Sequence, residues 1–185
     1  RDGKFYEVAY KIVGEEGHLV VMTTRPETIL GDTAIAIHPR DEKNRHLVGK
    51  QVIVPIVNRV IPVIEDNMVD PEFGSGCVKI TPAHDPNDFL VGQRHNLEQI
   101  QVIDGEGIMT PETGKYAGLD RFKARDVIVE DLEKEGVLLG VQDIKHSVGE
   151  CYRCHTVIEP YLAEQWVVRT RPWGDAGVGA VQSGK

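Results

Sequence analysis

The sequence predicts a β-rich α+β fold, and three observations carry that prediction. β-Branched runs fill the first two thirds of the chain. Only two segments combine helical spacing with capping residues. No apolar run is long enough to span a bilayer, so the hydrophobic residues, 41% of the 185, belong to an internal core and no membrane partner is expected.

The elements follow in order. FYEVAYKIV (5–13) alternates and passes through Gly14-Glu15-Glu16-Gly17 into HLVVMTT (18–24), as a hairpin does. TAIAIHP (33–39) is a short apolar run ended by proline. QVIVPIV (51–57) and RVIPVIED (59–66) are β-branched and joined by a tight turn at Asn58-Arg59. Each holds a proline, which predicts edge or bulged positions. CVKIT (77–81) is a strand opened by Gly74-Ser75-Gly76, and IQVID (100–104) is another. A helix starts near Asp85, with Phe89, Leu90 and Gly92 on its apolar side. The second helix is RFKARDVIVEDLEKEG (121–136), capped by Asp120 and stopped by Gly136. Its predicted buried stripe is Phe122, Val129 and Leu132, with Val127 or Ile128 beside them.

The character changes near His146, which divides the chain into a core, 1–145, and a segment, 146–185, with CYRCH and a Gly-rich tail. The chain starts at Arg1 without a methionine and stops at QSGK without a closing element, as a piece of a longer protein would. Net charge is -8, which disfavours a broad duplex-binding face and leaves room for a small pocket that takes one nucleic-acid end. The cysteines Cys77, Cys151 and Cys154 are odd in number and form no secreted disulfide framework. A cytoplasmic setting is the simpler expectation.

AHDPNDF (83–89) has two readings. Asp85 is a good N-cap, Pro86 suits the first helical position, and Asp88 falls third, where a carboxylate favours the positive end of the helix. The preceding strand adds chemistry. Alternation puts Cys77, Lys79 and Thr81 on one face and Val78 and Ile80 on the other. Lys79, Thr81, Asp85 and Asp88 thus meet where a strand ends and a helix begins, a junction whose free backbone N–H groups suit a ligand. TTRPETILGD (23–32) repeats the design. Thr23 and Thr24 end a strand, Pro26 and Glu27 start a helix, Thr28 sits one turn in and Gly31 stops it. Thr24 is a fair N-cap there and Arg25 an ordinary surface charge; equally, such hydroxyls and amides can hold a ribose, a phosphate or an amino acid. Cys77 has no histidine placed by sequence to activate it and reads as a packed thiol, and His84 as a structural hydrogen-bonder.

TTRPETILGDTAIAIHP, EFGSGCVKITPAHDPNDF, GLDRFKARDVIVEDLEKEG and IEPYLAEQW together resemble the editing domain inserted in class I aminoacyl-tRNA synthetases, over almost the whole chain. TTRPET with KITPAHDPNDF is closer to the valyl branch than to the isoleucyl or leucyl ones. The resemblance implies a compact β-barrel-like core with short flanking helices, and hydrolysis of threonine wrongly esterified to valine tRNA. An isoleucyl-type activity on valyl esters, or a non-catalytic RNA-binding or zinc-ribbon module, are the alternatives. It implies that Asp88 anchors the substrate's α-ammonium and that Lys79, Thr81 and Asp85 surround its side chain and ester, with Asp85 a candidate general base. The resemblance also implies that Thr23, Thr24, Arg25 and Thr28 line the pocket near the terminal adenosine, with Phe73 as a wall or a stacking surface. Water is positioned by the pocket and a terminal ribose hydroxyl, and no cofactor is needed. The partners implied are the tRNA 3′ end and the rest of the synthetase chain, toward which 146–185 returns.

CYRCH (151–155) matches haem attachment in its spacing, but nothing else in the chain supports that. Half a zinc ribbon fits better, with Cys151 and Cys154 supplying two of four ligands and the others lying outside this chain, or His146 or His155 completing a local site. A plain turn with two free thiols is the remaining reading.

Overall fold

A computed structural model describes residues 2–145 and 147–184. Seven strands form one sheet: β1 (Asp2–Ile12), β2 (His18–Thr23), β3 (Ala34–Ile37), β4 (Gln51–Ile53), β5 (Val60–Glu65), β6 (Cys77–Ile80) and β7 (Leu138–Lys145). Three helices accompany it: α1 (Pro86–His95), α2 (Arg121–Lys134) and α3 (Arg171–Gln182). Short 3-10 turns occupy Pro26–Gly31, Arg45–Leu47 and Pro111–Tyr116. The strand order is β2-β1-β4-β5-β3-β6, with β7 also on β1, and β6 packs near β2 so that the sheet almost closes. This is the β-barrel-like α+β architecture expected.

The predicted hairpin is present, with Tyr6 opposite Thr23 and Lys11 opposite His18. β3 explains why the barrel has a wall that is apolar on both sides. Ile35 and Ile37 enter the main core with Tyr10, Val21 and Ile61. Ala34 and Ala36 face a second, smaller core with Ile80, Val69 and Val91 of α1. A strand buried on both faces reads as a continuous apolar run, which is how TAIAI appears. CVKI divides as alternation demands, Cys77 in the main core and Ile80 in the second.

Several expectations need correction. β5 is an internal strand. Its first half pairs antiparallel with β4, and its second half pairs parallel with β3. Pro62 stands where the strand changes partner, so its missing N–H interrupts no continuous ladder. Pro55 lies beyond the end of β4, in the turn to β5. IQVID forms no strand among the described residues, only a bridge between Ile103 and Met109. The amide of Val102 donates instead to the His84 ring, at 2.8 Å. LLGVQDIK was not foreseen, yet β7 runs along β1 from Asp2–Lys145 to Val8–Leu138. Its burial follows no clean alternation, so periodicity gives it no signature.

The helix caps match. Asp85 accepts from the Asn87 and Asp88 amides, and Asp120 from those of Phe122 and Lys123. The buried faces match only in part. α1 buries Asp88, Val91 and Gly92 and leaves Leu90 half-exposed; α2 buries Arg121, Ala124, Ile128 and Leu132 and leaves Phe122 and Val127 outside. A polar residue at each leading position, Asp88 and Arg121, hid the true stripe. The Gly-rich tail forms α3, none of whose residues is buried. No helix among the described residues is long and apolar enough to cross a membrane.

Candidate active site

The strand β6, the N-terminus of α1 and the 3-10 turn 26–31 meet around one cavity of about 390 Å³. Its lining includes Thr23, Thr24, Arg25, Thr28, Phe73, Lys79, Thr81, Asp85 and Asp88, so all nine residues picked from the sequence for substrate and chemistry share one hollow. A larger hollow, about 670 Å³, is lined by Asp66, Arg94 and His95 among others. It is the poorer candidate, because Asp66 is already held by Arg94 at 2.8 and 3.1 Å and by His95 at 3.0 Å.

The floor of the cavity depends on a residue the sequence reading passed over. Asp32 follows the 3-10 turn and is fully buried. It accepts from the Tyr10 hydroxyl at 2.7 Å, the Thr81 hydroxyl at 2.6 Å and the Lys79 ammonium at 3.1 Å. Burial pushes its carboxyl pKa up, opposed by Lys79 and by the hydroxyl donors. Asp32 therefore fixes both Lys79 and Thr81 from beneath. Its signal was available, as an aspartate closing TTRPETILGD before an all-apolar strand, where a charge needs a partner. Gly31 beside it has to be small: a Cβ there would lie 3.0 Å from the Ile100 carbonyl oxygen and 3.1 Å from Thr81 Cγ2.

Asp88 is 8% exposed and accepts from the Thr81 amide at 2.9 Å. Burial raises its pKa to about 6, with Lys79 and the Thr81 amide acting against that rise and Asp85 and Asp32 adding to it. The position that makes Asp88 a good helix-start residue also places it in the lining of the cavity, so the capping of α1 and a place at the cavity are compatible. Asp85 commits Oδ1 to the cap, at 2.7 Å from the Asn87 amide and 3.2 Å from the Asp88 amide.

The turn 26–31 differs from expectation in its cap. Thr24 does not cap it; Arg25 takes the N-cap position, and its amide donates to the Thr23 hydroxyl at 3.0 Å. Thr28 donates to the Arg25 carbonyl at 2.9 Å. Arg25 is no free surface charge, since its guanidinium donates to the His84 carbonyl at 2.9 Å and pairs with Glu159. Phe73 is 63% exposed at the rim, its ring 5.8 Å from that of Phe5. His84 Nε2 accepts from the Val102 amide, which leaves the ring proton on Nδ1, buried without a partner. Burial, then Arg25 and Lys79, lower its pKa to about 4, so it is neutral near pH 7. Cys77 is buried and its thiol is pushed up to about 11, as befits a packed thiol.

A model for the "Leucyl-tRNA synthetase, editing domain" family matches residues 39–133, about half of the chain. The chain belongs to this editing-domain family. Over its whole length the domain is 56% identical to the valine–tRNA ligase of Carboxydothermus hydrogenoformans, of which it covers 21%. It is 53% identical over 98% of its length to that of Thermotoga maritima, and 53% over 95% to that of Bacillus subtilis. The domain spans about one fifth of the length of these curated relatives. Among solved structures it resembles the leucyl-tRNA synthetase of Agrobacterium radiobacter K84 agnB2 in its ternary complex with tRNA and LeuAMS, with TM-score 0.59, 19% identity, and coverage of 85% of this chain and 24% of that one. It also resembles GlLeuRS-CP1, with TM-score 0.58, 11% identity, and coverage of 78% and 100%. These two likenesses establish the barrel-like editing-domain fold.

The CYRCH loop lies away from this cavity in sequence and in lining. The amide of His155 donates to the Cys151 carbonyl at 2.8 Å, and that of Cys151 to the Thr156 carbonyl at 2.9 Å. Cys154 Sγ lies 3.3 Å from the Thr156 hydroxyl, which with the Cys151 thiol lowers the Cys154 pKa. Among the described residues no three metal-ligating side chains converge. His146 lies outside the described residues.

Proposed function

We propose that the domain hydrolyses the aminoacyl ester of a mischarged tRNA, threonine on valine tRNA, as the editing module of a valine–tRNA ligase. The observation that carries this reading is the cavity itself. One buried carboxylate, Asp88, faces the same 390 Å³ as an ammonium and hydroxyls held from below by Asp32. The identity to valine–tRNA ligases over the whole chain supports the choice of amino acid.

The need for such a site is physical. Threonine and valine have nearly the same shape. A hydrophobic pocket rejects an isostere that adds one hydroxyl by only about 100-fold, a general figure for which valine-specific synthetic sites are themselves the usual example. A second site must therefore favour the hydroxyl. The Lys79 ammonium donates N–H bonds to Asp32 and to the Thr81 hydroxyl; in this cavity valine would leave its third N–H without the partner that threonine supplies, at about 1–3 kcal/mol. Asp88 takes the substrate's α-ammonium. That leaves the ester carbonyl near Asp85, whose Oδ1 is bound by two amides while Oδ2 can receive a proton from the attacking water and return it to the ribose oxygen as the ester C–O bond breaks. Arg25, Thr23, Thr24 and Thr28 face the terminal adenosine, with Phe73 as a wall. The neutral, amide-bound His84 is unsuited to act as base.

The test compares deacylation of threonyl-tRNA(Val), valyl-tRNA(Val) and valyl-tRNA(Ile). Cleavage of the threonyl ester at least about tenfold faster than the valyl esters is expected, within the span one or two hydrogen bonds provide. Preferential cleavage of valyl-tRNA(Ile) would favour the isoleucyl-type site, and a background rate on all three the non-catalytic module. With a net charge of -8 the domain offers tRNA few phosphate contacts, so the 185-residue chain alone should work more slowly than one that carries the remaining tRNA-binding parts.

The same reading assigns Cys151 and Cys154 as half of a zinc site. The two thiols share one tight turn, close enough for Cys151 to help lower the Cys154 pKa, and would supply two of the four ligands that a structural zinc takes. Such a metal would pin the 150–157 loop and takes no part in ester hydrolysis. Metal analysis should find well under one zinc per 185-residue chain; a full equivalent would mean that the loop completes its own site. A cytoplasmic setting accords with three free thiols, and the partners are the tRNA 3′ end and the rest of the synthetase chain.

A further inference from the structure

Five charged side chains with alternating signs form a chain of ion pairs that reaches the cavity through Arg25. Arg125 holds Glu27 through two bonds, at 2.8 and 2.7 Å. Glu27 lies 3.5 Å from Arg25 Nε, and Arg25 Nη2 pairs with Glu159 Oε2. The other Glu159 oxygen lies 2.9 Å from Arg121 Nε. Glu27 is fully buried, and the Arg121 and Glu159 side chains are 8% and 14% exposed, so bulk salt screens these pairs weakly.

The members come from three places. Arg121 and Arg125 stand one turn apart on α2, Arg25 caps the 26–31 turn that holds Glu27, and Glu159 belongs to the segment 157–161. That segment is seated nearby: Arg121 Nη2 donates to the Val157 carbonyl at 3.3 Å, and the Tyr161 ring covers Gly105. Gly107 makes room for this, because a Cβ there would lie 2.1 Å from Arg121 Nη1.

Removing Glu159 would leave Arg25 with one carboxylate, Glu27, which Arg125 already occupies on both oxygens. Two other acids, Asp85 and Asp88, line the same cavity as Arg25. Held then only by the His84 carbonyl and the already occupied Glu27, the guanidinium would swing toward them and occupy the place proposed for the substrate's ammonium. We propose that Glu159 is a positioning residue, holding Arg25 on the rim and off Asp85 and Asp88, so that the cavity accepts substrate only while residues 157–161 are docked. This inference rests on the ester-hydrolysis reading above and ties that site to the segment leading out of the domain.

The experiment uses Glu159→Gln and Glu159→Asp in the full-length chain, with kcat and KM for threonyl-tRNA deacylation. Glu159→Gln is expected to raise KM about tenfold, within the usual 5- to 150-fold range of such couplings, with kcat changed less than about twofold. Glu159→Asp should recover part of the loss. In an Arg25→Gln background Glu159→Gln should add nothing, because no guanidinium remains to stray. An unchanged KM, or additive losses in the double variant, would overturn the proposal. Hydrogen exchange gives a reading that needs no activity. Glu159→Gln should speed exchange in peptides covering 24–31 and 157–161 and leave β3 unchanged. If the wild-type chain cleaves no ester, the functional reading has failed, and unchanged exchange in 24–31 would sink the latch separately.

Discussion

Replacing Asp88 with asparagine is expected to remove ester hydrolysis and at the same time to raise the stability of the domain near pH 7. The first half follows from the ammonium site proposed at Asp88. Removing one partner of a desolvated charge pair costs about 2–5 kcal/mol, a loss of roughly 30- to 5,000-fold in kcat/KM. The second half follows from the burial of Asp88, which raises its pKa to about 6. A carboxyl whose folded pKa lies above its unfolded value of 3.8 favours the folded state when protonated. That contribution is complete below pH 3.8 and is lost as pH rises through 6. At pH 7.5 the empty site therefore carries a penalty of about 3 kcal/mol, which asparagine avoids while its amide oxygen still accepts from the Thr81 amide.

The measurement is a set of thermal melts of both proteins from pH 4 to pH 8. The asparagine variant should gain on the parent as pH rises, with most of the change between pH 4 and 6. In parallel, kcat/KM of the parent should fall as pH drops below about 6, because the free enzyme then loses the carboxylate proposed to receive the ammonium. A variant that melts earlier than the parent at pH 7.5 would mean that the Asp88 charge serves only the start of α1, which is the reading a non-catalytic module requires.

Much of this site was visible in the sequence because its parts are local. The KITPAHDPND stretch holds a strand end, a cap and a helix start within a dozen positions, so alternation and capping rules place Lys79, Thr81, Asp85 and Asp88 together without tertiary information. What was not visible is long-range. Asp32 joins the site through partners 22, 47 and 49 positions away, and Arg25 meets Glu159 across 134. No periodicity encodes such pairings. The helix faces were legible only in part for a related reason: Gly92, Ile128 and Leu132 are buried as expected, but the leading polar residues were not counted. Pattern reading counts apolar residues, whereas α1 and α2 bury Asp88 and Arg121, whose charges are satisfied by groups from elsewhere. β7 was missed because its pairing with β1 is a property of the partner strand: β1 is long enough to serve β2, β4 and β7 in turn.

Asp32→Ala should be the most damaging single change to the fold of the site. It would leave the Lys79 ammonium, 11% exposed, without its carboxylate, and the Tyr10 and Thr81 hydroxyls without their acceptor. Breaking a buried ion pair from one side costs about 3–5 kcal/mol, a large share of the 5–15 kcal/mol that typically stabilises a domain. Urea denaturation should show that loss as a fall in midpoint at unchanged slope. The compensating variant separates stability from function. In Asp32→Asn with Lys79→Met, the charge is removed from both sides and the amide still accepts from a hydroxyl. Replacing both partners of a buried pair is often close to neutral, so most of the lost stability should return. On the proposed reading deacylation should not return, because the ammonium proposed to meet the threonine hydroxyl is gone. Recovery of both together would show that Lys79 serves only to neutralise Asp32, and discrimination would then have to rest on Thr81 and its neighbours. A loss below about 1 kcal/mol in Asp32→Ala would place water, and not Asp32, under the cavity floor.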